Sequence, residues 1–286
     1  MSQIIVNGLM LSATYALIAL GITLIFAIMN VMNFAHGQMY VLGGFMVYYT
    51  YGVWHWPFAL SLLVAALVVA AVGLILERFF FRSVLRRSRR EESTMLLAVG
   101  TALLLDSLAL ALFGEKQRGV PDVVSGVYHL AGAYIPARRL LIFAIAAVLT
   151  TAFIVFINYT RPGRALRAIA QDRETAALQG VDVTRYSALG FGLGAALSGL
   201  AGGLLISTDA INSGAGNLIS IKAFIMIMIG GAGVVSGAIA GALVLAFSEA
   251  IGYYFIPGSL PYLLILTGLI VFLLFRPQGI MGRRWG

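Results

Sequence analysis

The sequence predicts an all-α fold: a polytopic transmembrane helical bundle of about 8–9 segments, some of them broken or re-entrant. Three observations carry this. Hydrophobic residues make up 60% of the chain and charged residues 10%, with a mean hydropathy of +0.96. A soluble domain carries about 25% charged residues, so this chain has too few polar groups to cover a water-facing surface. The apolar residues also form continuous runs near the roughly 20 residues that span a bilayer, unlike the alternating strands of about 10 residues in a membrane barrel. Finally, polar residues and glycines interrupt these runs where no Lys or Arg marks an ordinary loop, first in VMNFAHGQMYVLGG at 31–44.

Nine apolar segments follow in order: about 4–28, 37–53, 57–77, 94–113, 139–158, 186–206, 219–231, 234–252 and 260–275. They read as one integral-membrane domain over 1–286. The N-terminal MSQIIVNGLM lacks a basic region and reads as a retained first helix rather than a cleaved signal. The second and seventh segments are short, so each either joins its neighbour or forms a half-helix. Between the first two, Asn33, His36 and Gln38 offer partners for backbone freed at a break, and Gly37 lets the chain turn.

Arginine fixes the sides. Clusters at Arg78–Arg90, Arg161–Arg185 and Arg276–Arg284 read as cytoplasmic by the positive-inside rule, which puts the C-terminus inside and the 114–138 loop outside. The net charge of +8 therefore speaks of orientation before any nucleic-acid partner. In the sixth segment Gly190, Gly194, Ser198 and Gly202 form one row at a spacing of four, with Ala195, Gly199 and Gly203 beside it. Gly233, Gly237 and Gly241 repeat the pattern later. Such rows let helices approach closely. Gly230, Gly231, Gly233 and Gly237 also mark a second break, a counterpart to Asn33–Gln38; paired breaks point to a binding path in transporters.

Few ionisable residues fall at membrane depth. Asp106 and Glu249 are candidates for an interhelical pair or a functional site. Lys222 is expected to snorkel to the outer interface. His36 has no second His or Cys at ligand spacing, so no metal site is expected. There is no cysteine, no G-x-S-x-G element and no P-loop lysine, so neither a hydrolase nor an ATPase site is expected, and any ATP-driven role needs another subunit. Residues 160–185 are too polar to span. Pro162 and Gly163 open them, and ALRAIAQDRETAALQG follows as short amphipathic helices that lie on lipid or dock a soluble partner. Gly180 suits a helix end.

Taken together, NFAHGQMYVLGG after GITLIFAIMNVM, then GRALRAIAQDRETAALQGVDVTR, then IGGAGVVSGAIAGALVLAFSE, resemble the permeases of branched-chain amino acid ABC importers of the LivH/LivM type, closer to LivH. The resemblance runs from about residue 5 to 280. It implies a multi-pass protein of the bacterial inner membrane that pairs with a second, LivM-like permease. It further implies two ATPase subunits that hydrolyse ATP on the cytoplasmic side, a periplasmic substrate-binding protein, and no cofactor on this chain. The family's EAA-type coupling loop maps onto Glu174, Ala176, Ala177 and Gly180, with E-T-A-A here in place of E-A-A. Two other readings stay open: a self-sufficient secondary transporter or channel, and a permease for urea or short amides.

Overall fold

The computed structural model describes residues 1–30, 32–87, 91–130, 132–258 and 260–282. Val31, Arg89, Arg90, Arg283 and Arg284 lie outside the described residues. The structure is a helical bundle, and all nine apolar segments coincide with helices. Among the described residues, six helices are long and apolar enough to cross a membrane.

Two of these six, α1 (Ser2–Met29) and α9 (Val183–Leu205), form the centre. Their most apolar windows are 78% and 72% buried, against 17% for α5 (Glu91–Phe113). The difference follows from composition. The α9 row Gly190, Gly194 and Gly202 lies against Ile28 and Gly21 of α1 and Tyr40 of α2 (His36–Val47). The adjacent row, Ala195, Gly199 and Gly203, meets α3 (Phe58–Leu76) through Gly73, Val69 and Leu62. Without side chains between them, backbones close to contact and dispersion replaces the missing hydrophobic drive. By contrast α5, α6 (Ala137–Tyr159) and α12 (Leu260–Phe275) expose leucines and valines, as lipid-facing helices do.

Two helices carry π-helical turns. α2 runs on through Tyr48–Val53, and α3 through Glu77–Phe81 into α4 (Arg82–Arg87). In the second, Arg82 Nε and Nη2 donate to the buried Glu77 carboxylate at 3.2 and 2.6 Å.

The described parts of the three arginine-bearing stretches meet one face of the bundle. Phe81, just before α4, packs with a tilted ring on Phe191 in the first half of α9, ring centroids 5.2 Å apart. Leu166 of α7 (Arg161–Gln171) and Ile28 at the end of α1 both lie against Gly190. The C-terminal strap joins the same face, with Ile280 N donating to Ile229 O and Met281 N to Gly230 O. At the opposite face, β1 (Val127–Leu130) and β2 (Ala133–Pro136) form an antiparallel hairpin. Gln3 docks it to α1 by exchanging two hydrogen bonds with the Tyr134 backbone, at 3.2 and 3.0 Å.

Candidate functional sites

Residues 32–35, between α1 and α2, form a break inside the bundle. Asn30 adopts the left-handed conformation (φ 52°) and ends α1. Residues 32–35 are not helical, and α2 begins at half the depth of the bundle. His36 Nε2 donates to Ile18 O at 3.1 Å, near the middle of α1, and Ser198 in the middle of α9 donates to His36 O at 3.0 Å. Asn33 Oδ1 accepts from Ala35 N and so caps the break. All of Asn33, His36 and Gln38 are buried. The need for internal partners explains them: irregular backbone survives at membrane depth only where protein satisfies it.

The second half-helix is α10 (Ala215–Gly230), and its start meets the start of α2. Gly37 N donates to Ser220 Oγ at 3.0 Å, and Ser220 Oγ donates to Phe34 O at 2.9 Å. Gly37 does not turn the chain. It is a helical residue whose missing Cβ admits the Gly216 carbonyl. Thus α2 rises from mid-depth toward the hairpin face while α10 descends from mid-depth toward the arginine face. The partner of the Asn33–Gln38 break is therefore the stretch leading into Gly216, rather than Gly230–Gly237.

Those glycines occupy a different place. Gly231 (φ 109°) and Gly233 (φ 78°) make the turn between α10 and α11 (Val235–Phe255) at the arginine face, and Gly231 also abuts Gly282 of the strap. The packing row on α11 accordingly starts at Gly237, which meets Gly230, and continues with Gly241 against Met226.

Asp106 of α5 accepts from Gln38 Nε2 at 2.6 Å, which ties the peripheral α5 to the junction. Among the described residues, His36 Nδ1, Asn33 Nδ2 and Gln38 Oε1 are buried without a hydrogen-bond partner. Glu249 pairs with Lys222 at 2.8 Å, and Tyr15 Oη donates to Glu249 Oε2 at 2.7 Å. Lys222 therefore does not snorkel: its ammonium turns inward to the Glu249 carboxylate and the Tyr15 hydroxyl.

On the arginine face, Asp172 ends α7 and caps α8 (Arg173–Leu178), accepting from Glu174 N and Thr175 N at 2.9 Å each. The Thr175 amide and hydroxyl, with the Glu174 amide, hold the Asp172 carboxyl below its usual range. Gly180 (φ 82°) ends the helix, with Gly180 N donating to Ala177 O and Val181 N to Ala176 O. Ala176 is buried, whereas Glu174 and Ala177 are exposed, and Leu178 is 86% exposed at the tip. Arg173 lies within electrostatic reach of Glu77 beside α3.

The sequence singled out the members of the junction and of α8, read Ser198 only as part of a packing row, and missed Tyr15, Gly216 and Ser220. Signals for these were faint. A Ser two positions before the only membrane-depth Lys, opposite a Glu on the next helix, is a polar pattern that an apolar hairpin does not need.

Residues 4–275 match the family described as branched-chain amino acid transport system / permease component. The permease protein BraD of a high-affinity branched-chain amino acid transport system from Pseudomonas aeruginosa is 32% identical, covering 98% of this chain and 95% of its own. LivH of Escherichia coli K12 is 31% identical over 97% of this chain and 94% of its own. A probable LivH from Methanocaldococcus jannaschii is 28% identical over 99% and 93%. No solved structure matches. With nearly its whole length matched, the chain is a multi-pass membrane protein that belongs to the family of branched-chain amino acid transport system permease components.

Proposed function

We propose that this chain is the permease subunit of an ABC importer in the bacterial inner membrane, moving branched-chain or closely related small amino acids by alternating access. The observation that carries the reading is α8: a self-capped helix with an exposed apolar tip, hung on the face where the arginine clusters gather. By the positive-inside rule that face is cytoplasmic and carries the C-terminus. A soluble partner there finds Leu178 and Ala177 as an apolar knob, with Glu174 beside it. Two ATPase subunits that hydrolyse ATP are the partners of this face. A second, LivM-like permease completes the pathway, and a binding protein delivers substrate at the hairpin face. This chain itself carries no cofactor in that scheme.

The route of coupling is short. α8 follows α7, whose Leu166 and the α1 residue Ile28 both touch Gly190 of α9. Displacing α7 and α8 therefore moves the two central helices, and α9 holds the junction through Ser198. Interfaces of small residues permit such shifts between packed states.

The test is ATP-driven uptake in proteoliposomes of the assembled complex. Replacing Glu174 and Gly180 together by bulky residues is expected to abolish uptake while leaving the permease folded. Wild-type uptake in that double variant contradicts the coupling role of α8. Ion-driven flux through this chain reconstituted alone favours the secondary-transporter reading instead.

A further inference from the structure

A cluster outside the junction and α8 carries both signs of charge around a cavity. Lys222 Nζ lies 2.8 Å from Glu249 Oε1 and donates to Tyr15 Oη at 2.8 Å. The two charged side chains are 13% and 4% exposed. They sit on α10 and α11, with Tyr15 on α1, at the deep end of a cavity of about 500 Å³. The cavity extends toward the hairpin face, where Arg139 and Asp209 line it. Met10, Leu11, Ile142 and Leu205 supply apolar wall. Ligand sites for small molecules fall in this size range, mostly apolar with a few convergent polar groups.

Stability alone does not account for the pair. A buried ion pair often contributes no more than apolar residues of the same volume, whereas removing one partner strands the other at high cost. What the pair can do is exchange partners. A ligand with a carboxylate and an ammonium a few ångströms apart offers the first to Lys222 and the second to Glu249. Each buried ion keeps a counter-charge, and the net charge of the site stays zero throughout. A ligand with only one of the two charges leaves one residue unpaired. The arrangement thus selects for zwitterions, and the apolar wall takes an aliphatic side chain.

We propose that the Lys222–Glu249–Tyr15 cluster and its cavity form a binding subsite for a zwitterionic aliphatic amino acid within the permease itself, separate from the binding protein's site. The proposal rests on the importer reading and names the substrate contact on this chain. Because Lys222 lies on the half-helix that meets α2, occupancy bears directly on the junction.

The test uses the assembled transporter in lipid nanodiscs, without binding protein, and radiolabelled leucine as probe. Saturable binding is expected, displaced by excess leucine but not by leucinol, which lacks the carboxylate, or by 4-methylpentanoate, which lacks the ammonium. Lys222→Gln with Glu249→Gln is expected to weaken leucine binding by about ten- to a hundredfold, the loss of charge-assisted hydrogen bonds. Equal displacement by either analogue overturns the proposal, as does unchanged leucine affinity in the double variant. If that variant fails to assemble, the analogue competition on the unmodified complex decides. No displaceable binding to a complex that imports leucine when given binding protein removes the subsite and leaves the importer reading intact. Binding with the expected selectivity, in a complex that drives no ATP-dependent import, removes the importer reading instead.

Discussion

The junction of α2 and α10 and the helix α8 are built on opposite plans. At the junction every contact is internal: glycine against backbone, Ser220 and Ser198 against main-chain groups, Gln38 against Asp106. At α8 the caps are the segment's own, Asp172 at one end and Gly180 at the other; Ala176 alone is buried, and the largest apolar side chain points away from the protein. A buried junction with no room for a Cβ is specified by shape. A helix capped at both ends by its own segment, with an exposed tip, leaves that tip free to be held by something else. The contrast puts contacts set by shape in the middle of the bundle, and the residues proposed to read a partner on the arginine face.

The comparison breaks first at Gly37. Gly37→Val puts side-chain atoms where the Gly216 carbonyl lies. Backbone has no rotamer with which to yield, so the cost is about 3 kcal/mol or more. Loss of the monodisperse peak in size-exclusion chromatography is expected, whereas a variant that folds normally shows that the half-helices do not touch here.

Leu178→Asp is the matching change at α8. It is expected to leave the thermal midpoint nearly unchanged, since surface substitutions stay within about 0.5 kcal/mol. ATP-driven uptake falls by about tenfold or more, as for an apolar anchor lost from an interface. A large drop in thermal stability makes Leu178 a folding residue and removes the contrast.

A middle-sized effect sharpens the junction side. Gln38→Ala leaves Asp106 without its partner and costs about 1–3 kcal/mol, read as a lower thermal midpoint of the purified permease. No change there makes the tie to α5 dispensable.

The smallest effect concerns pH. The Asp172 carboxyl is held below its usual value, so the cap contributes fully above the unfolded pKa of about 4. That contribution is lost only as pH falls through the lower folded value. Hydrogen exchange of the 173–178 amides, corrected for intrinsic rate, is expected to be flat from pH 8 to 5. Loss of protection within that window assigns the cap to another group.

Much of this was legible in the sequence because apolar runs and spacing-four glycines are local signals. The α9 rows Gly190–Gly202 and Ala195–Gly203 show which faces close up without any knowledge of the partner helix. Asn33, His36, Gly37 and Gln38 stand out because polar residues in lipid need a reason. The rest depended on contacts far apart in sequence. Tyr15 and Glu249 are 234 residues apart, and nothing local to either announces the other. Lys222 read as a snorkelling residue because its segment was treated alone, before α11 brought Glu249 beside it. Gly37 read as a turn because a glycine's use in close approach leaves no mark on its neighbours; the turn itself fell to Asn30. The hairpin at 127–136 went unread, since its short alternation is faint beside the apolar runs.

The central claim is that α8 is where an external subunit grips this protein. The chain has no cysteine, so Leu178→Cys introduces a unique thiol. Its rate of modification by a water-soluble maleimide can be measured on the permease alone and in the complex with its ATPase subunits. Fast labelling of the permease alone and strong protection in the complex are expected. Equal rates in the two preparations contradict the claim.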